Sequence, residues 1–202
     1  MRPYADFLAH AYDSEEAEAT VNFVAACESY ARWFRGWTNS VLALTWSSGT
    51  TSDDVLAAYG ISPEITEPMK ILGGDIDVLI GRLGNGTIIM DYSVDSPTLG
   101  ILPALAQYGP CLNAAWGGDV PQIVSHYAQD GRVIMFDASS RDWRPDPDLV
   151  SVEQWIATTP AGTERWDNRW GVAILITAEA LLQAAIDEEW MRSTHVGVTF
   201  PT

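Results

Sequence analysis

The chain has 202 residues, of which 47% are apolar and 19% charged. The apolar share excludes wholesale disorder, and the charged share is below the roughly 25% of ordinary soluble domains. Twenty-seven acidic residues against eleven basic ones give a net charge of −16, which excludes electrostatic capture of nucleic-acid backbones or anionic membrane surfaces.

The charge is spread along the chain. Residues 1–100 carry five basic and fourteen acidic groups, and residues 101–202 carry six and thirteen. Such a chain is drawn toward basic partners. Its length suits one domain over residues 1–202, large enough to bury a core without disulfides or metal. Cys27 and Cys111, the only cysteines, make neither a disulfide framework nor a zinc pattern. Reduced thiols and a cytoplasmic setting are the expectation. The first residues, Met1-Arg2-Pro3-Tyr4, open no apolar signal region, and the longest apolar run, Gly171 to Ile176, is too short to span a bilayer.

In chain order, Asp13 and Glu16 have capping-box spacing ahead of a helix in which Val21, Val24, Ala25, Tyr30 and Phe34 recur at helical spacing, with Gly36 as its stop. Ser40 to Trp46 reads as a strand. Thr51 or Ser52 caps a short helix from Asp53 to Tyr59, stopped by Gly60. Ile61 to Lys70 holds two prolines and reads as irregular. Ile76 to Leu83 and Thr87 to Tyr92 form a hairpin, with Asn85-Gly86 predicting a type I′ turn. Asp95-Ser96-Pro97 starts a helix that reaches Tyr108 and carries Pro103 inside it. Cys111 to Trp116 follows as a strand.

A second hairpin is predicted from Gln122 to Ala138 across Asp130-Gly131, again type I′. That register groups Ile123, Tyr127, Ile134 and Phe136 on one face. Val124, His126, Val133, Met135 and Asp137 fall on the other. Val150 to Ala157 reads as a short helix and Thr158 to Asn168 as irregular. Thr177 is placed to cap a helix from Ala178 to Met191, with Leu181, Leu182, Ala185 and Trp190 on its buried stripe. Gly171 to Ile176 suits a helix or a strand equally. Val196 to Phe200 reads as a terminal strand. The fold class expected is α+β, a largely antiparallel sheet with two type I′ hairpins and helices packed on it.

Several of these segments carry a likeness: Leu42-Ala43-Leu44-Thr45-Trp46, Ser52-Asp53-Asp54-Val55-Leu56 with Tyr59-Gly60, the strand from Gly86 to Asp91, Tyr127-Ala128-Gln129-Asp130-Gly131-Arg132-Val133, and Phe136-Asp137. Their order resembles a domain family of unknown function from high-GC Gram-positive bacteria, over residues 40–190. Asp137 stands where that pattern has Glu. The resemblance implies no catalytic residues. In architecture alone the chain is similar to Smi1/Knr4-like immunity proteins.

No reaction motif is present. His10, His126 and His195 have no metal-ligand spacing, and neither metal nor cofactor is expected. Ser125 and His126 are adjacent in a strand, so they point to opposite faces and cannot pair. Asp75 with Asp77, and Asp91 with Asp95, are close enough in sequence for carboxylate chemistry, but no calcium-loop pattern accompanies them. Gly73-Gly74, Gly81-x-x-Gly84-x-Gly86 and Gly117-Gly118 read as turns and not as phosphate loops, since no strand-to-helix step frames them.

Nine tryptophans are the unusual feature. Trp33, Trp37 and Trp46 group early. Trp143, Trp155, Trp166 and Trp170 accompany Arg141, Arg144, Arg165 and Arg169. Trp and Arg dominate interface hot spots. Trp143, Arg144, Arg165, Trp166, Arg169 and Trp170 are therefore the candidate partner surface, set against the simpler reading that these rings pack onto the core. The expected function is an acidic protein-interaction module of the immunity or antitoxin kind, binding a basic protein. The alternatives are an enzyme with a carboxylate site built on Asp91, Asp95 or Asp137, and an acidic DNA mimic. Oligomeric state stays open.

Overall fold

Eight antiparallel strands form one sheet in the computed structural model, which describes residues 43–71, 76–92, 97–115, 122–138 and 149–200. The helix expected from Asp13, with Cys27, Trp33 and Trp37, lies outside these residues, as do His10, Asp75, Asp95, Arg141, Trp143 and Arg144. The strands are β1 (Ala43–Ser48), β2 (Glu67–Met69), β3 (Val78–Leu83), β4 (Gly86–Asp91), β5 (Cys111–Ala115), β6 (Ile123–Tyr127), β7 (Val133–Asp137) and β8 (His195–Val198). Their order across the sheet is β2-β8-β3-β4-β1-β5-β6-β7. The helices are α1 (Ser52–Tyr59), α2 (Thr98–Leu105), α3 (Leu149–Thr158), α4 (Gly162–Asn168), α5 (Trp170–Leu182) and α6 (Glu188–Arg192). The α+β class is as the sequence predicts.

Helices cover both faces. On one, Leu44, Trp46, Leu79, Ile88, Met90, Leu112, Ala114, Val124 and Phe136 pack against α3, α4, α5 and α6. This is called the α5 face. On the other, the α1 face, Val78, Ile80, Ile89 and Val198 meet Val55 and Leu56 of α1 and Ile101 and Leu105 of α2. Apolar residues on both sides of β3 and β4 follow from that double cover.

Helix α1 forms where its caps predict. Thr51 Oγ1 accepts from Asp54 N, and the Asp54 carboxylate accepts from Thr51 N at 2.7 Å, a complete capping box. Bonds from the Thr51 hydroxyl and main chain hold the Asp54 carboxyl below its ordinary value. Gly60 closes the helix in the left-handed region.

Both hairpins form, but neither turn is type I′. In the first, the two-residue loop is Gly84-Asn85, and only Gly84 has positive φ (54°). That is the II′ pattern, in which glycine takes the first central position. Asn85 N then donates to Leu182 O at 3.0 Å, so the turn caps the end of α5. A Cβ at Gly84 would stand 2.0 Å from that same carbonyl oxygen.

In the second, Gly131 N bonds Ala128 O, Ala128 N bonds Arg132 O, and Gly131 has φ 86°. This is a three-residue loop with a left-handed glycine, one residue longer than expected. The longer loop pairs Tyr127 with Val133 and His126 with Ile134. A register change of one residue exchanges faces. Val124, His126, Ile134 and Phe136 therefore share the α5 face. Ile123, Ser125, Tyr127, Val133, Met135 and Asp137 share the other.

Further expectations are corrected. The segment read as irregular from Ile61 contains a 3-10 turn (Pro63–Ile65) and strand β2. Strand β2 sits at the sheet edge and pairs only with β8 among the described residues, which is where a strand proline such as Pro68 is tolerated. Residues Gly162–Asn168 are helical, not irregular. The strand expected from Ser40 to Trp46 runs on to Ser48, its first three positions lying outside the described residues. Thr177 caps nothing: it lies inside α5 and its hydroxyl donates to Ala173 O at 2.8 Å. The helical option for Gly171 to Ile176 holds, because Val172 to Ile176 are all buried, as in a helix enclosed on every side. Helix α5 ends at Leu182, and the expected Ala178–Met191 helix is divided into α5 and α6.

Candidate functional site

The α1 face of the central strands carries polar side chains where a core face would carry apolar ones. Thr87, Ser47, Thr45, Asn113, Ser125, Asp91 and Asp137 are all buried there. The pairing places them in rows. Thr45 lies opposite Asn113, Asn113 opposite Ser125, and Ser125 opposite Met135. Buried polar groups are tolerated when paired. Asn113 Nδ2 donates to Thr45 Oγ1 at 2.8 Å, Ser47 Oγ and Cys111 Sγ lie 3.2 Å apart, and Thr50 Oγ1 and Thr87 Oγ1 lie 2.6 Å apart. Burial pushes the Cys111 thiol up to about 11, so it is an inert thiol.

Asp91 and Asp137 share the next row, with Ala43, Ala115 and Ile123 between them. Thr98 Oγ1 donates to Asp91 Oδ2 at 2.9 Å, which leaves Tyr59 OH to donate to Thr98 Oγ1 at 2.6 Å. Burial raises the Tyr59 phenol well above its ordinary range. Four interstrand steps of about 4.8 Å separate Asp91 from Asp137, roughly 19 Å in all. Paired carboxylates that act on one glycosidic bond stand about 5–9.5 Å apart. These two aspartates share a face but do not form such a pair.

At the other end of the sheet, an open groove of about 580 Å³ runs between the start of α1, β2, β3 and the α6–β8 connection. Ser52, Glu67, Arg82, Ser193, Thr194 and His195 line it. Ser193 Oγ and His195 Nε2 are 3.2 Å apart, the spacing of a nucleophile and its base. The surrounding bonds give them another role. Ser193 Oγ donates to Trp190 O at 2.7 Å, and His195 Nε2 lies 3.1 Å from the same oxygen. A carbonyl only accepts, so Nε2 carries the proton and is not a base toward Ser193. Burial lowers the His195 pKa. The ring packs against Trp190 at a tilt of 43°, centroids 4.5 Å apart, while Trp190 Nε1 donates to Arg82 O at 2.7 Å. This cluster fastens α6 to the sheet.

The Trp/Arg segment divides between interior and surface. Trp166 is 1% exposed, its Nε1 donates to Thr159 Oγ1 at 2.8 Å, and its ring lies 5.6 Å from Phe136 and 5.5 Å from Trp155. It is core, not partner surface, because α4 turns its apolar side onto the sheet. Trp170 is half-buried against the same cluster. Arg165 is half-buried and donates to Ala161 O at 3.0 Å, and Arg169 is exposed. His126 stands 5.2 Å from Trp155, and burial, with the charge of Arg132, lowers its pKa. Ser125 and His126 do point to opposite faces.

Among the described residues no three His, Cys, Asp or Glu side chains gather as metal ligands, and no helix is long and apolar enough to cross a membrane. No protein-family model, curated protein or solved structure matches the chain. The polar rows of the α1 face escaped sequence reading. The hydroxyls at Thr45 and Ser47 show period-two spacing within β1, but their neighbours on β5 and β6 are set by register.

Proposed function

We propose that this protein is an acidic interaction module of the immunity or antitoxin type, which binds a basic protein partner. The observation that carries the reading is how charge is disposed among the described residues. Several cations are engaged locally: Arg132 pairs with Asp130, Arg192 with Glu188, and Arg82 and Arg165 donate to the carbonyls of Thr50 and Ala161. Asp53, Glu64, Glu67, Asp187 and Glu189 stand exposed, with Lys70 and Arg169 as exposed cations elsewhere. The resulting field speeds encounter with a positively charged surface and disfavours acidic ones. The likeness of several segments to a family of unknown function adds no activity that competes with this reading. Its inhibitory form rests on the likeness to immunity proteins read from the sequence alone.

The test is affinity capture from native lysate at low and high ionic strength, with mass spectrometry of the retained protein. A variant combining Asp53→Asn, Glu64→Gln, Glu67→Gln and Glu189→Gln is run beside it. One basic protein held at low salt, released at high salt and lost by the variant is the expected result. Retention that is equal for both proteins and insensitive to salt overturns the reading.

A further inference from the structure

Asn113 and Ser125 face each other across β5 and β6, and both are fully buried. Asn113 Nδ2 donates to Leu44 O at 3.3 Å and to Thr45 Oγ1 at 2.8 Å. Leu44 O can only accept, so this bond fixes which end of the amide is nitrogen. Asn113 Oδ1 and Ser125 Oγ have no hydrogen-bond partner among the described residues. A buried acceptor and a buried hydroxyl left unpaired would each cost their full desolvation.

We propose that Asn113 Oδ1 and Ser125 Oγ are the two walls of a hydration site that holds one buried water on the α1 face, over the paired strands β5 and β6. The chemistry matches on both sides. Asn113 Oδ1 needs a donor, and Ser125 Oγ can give or take a proton. Water supplies two donors and two acceptors. Directly opposed residues have Cβ atoms about 4.5–5.5 Å apart, and a water bonded to two oxygens spans about 5 Å. Polar buried sites of this kind are where proteins keep ordered water, while apolar cavities stay dry. The water extends the Thr45–Asn113 bond into a polar chain across β1, β5 and β6. A one-residue slip of β6 would turn Ser125 to the α5 face and break that chain, so the site also selects register.

A crystal structure at high resolution tests this directly. The expected result is a density peak roughly 2.6–3.2 Å from both Asn113 Oδ1 and Ser125 Oγ. The two oxygens bonded to each other or to another protein group, with no such peak, overturns the proposal. Thermal unfolding of Ser125→Ala gives an independent sign. If water holds the hydroxyl, its removal lowers Tm, by roughly 2–4 °C for a chain of this size. An unchanged or raised Tm means that the hydroxyl had no partner to lose, and the proposal fails.

Discussion

On the α5 face, Leu44, Trp46, Leu112 and Phe136 meet the rings of Trp155 and Trp166 and the aliphatic side of α5. On the α1 face, the same central strands present Thr45, Ser47, Asn113 and Ser125. The first layer is held by buried area and dispersion, which depend on volume and act in no fixed direction. The second is held by hydrogen bonds that need one partner at one place. The two layers should therefore fail in different ways. The α5 face should respond to lost volume and tolerate isosteric change. The α1 face should respond to the loss of a single atom.

The largest effect belongs to the α5 face. Trp166→Ala should cost about 3–5 kcal/mol in urea unfolding, as a large ring leaves a filled site. Leu79→Met on the same face, a swap of similar volume, should cost below about 1.5 kcal/mol. Thr98→Val on the other side is also a swap of similar volume, yet it removes both the donor to Asp91 and the acceptor for Tyr59. It should cost about 1–3 kcal/mol. If Thr98→Val proves as mild as Leu79→Met, the contrast between the faces is wrong.

Gly84→Ala should cost more than about 1 kcal/mol, because the new methyl meets the Leu182 carbonyl and the φ is left-handed. Thr51→Ala should cost about 1 kcal/mol through loss of the capping box. It touches neither face, so it calibrates the others.

The smallest effect is a pH slope. His126 and His195 have pKa values lowered by burial from an ordinary 6.5. The unfolded chain therefore takes up protons first as pH falls. Stability is full above that ordinary value and declines as pH drops toward the folded-state values. Urea midpoints followed from about pH 8 to about pH 5 should show the decline, and His195→Gln should flatten it.

Local signals in the sequence translated well where the deciding physics is local. Of the two caps the sequence offers, Thr51 opens α1 and Gly60 closes it as expected, and both hairpins form at their glycine-bearing turns. The errors lie where a longer range decides. Gly84 and not Gly86 takes the left-handed position, because the turn also closes the end of α5. The extra residue in the Gln129–Gly131 loop shifts β7 by one place, and with it every face assignment there. For Trp166 the sequence left partner surface and core packing side by side, and the helix that carries it, with its bond to Thr159, places it in the core. The candidate surface was legible only as composition. Arg165 and Arg169 are placed by the fold, whereas Trp143 and Arg144 lie outside the described residues.

Strand β8 lies between β2 and β3, although more than a hundred residues of chain separate it from both. At translation rates of about 5–20 residues per second, β3 leaves the ribosome roughly 6–22 s before its partner β8. Throughout that interval one hydrogen-bonding edge of β3, with Val78 and Ile80 beside it, awaits a strand not yet made. The sheet is therefore closed only once β8 has emerged, and a nascent-chain chaperone able to shield that edge would act within this interval.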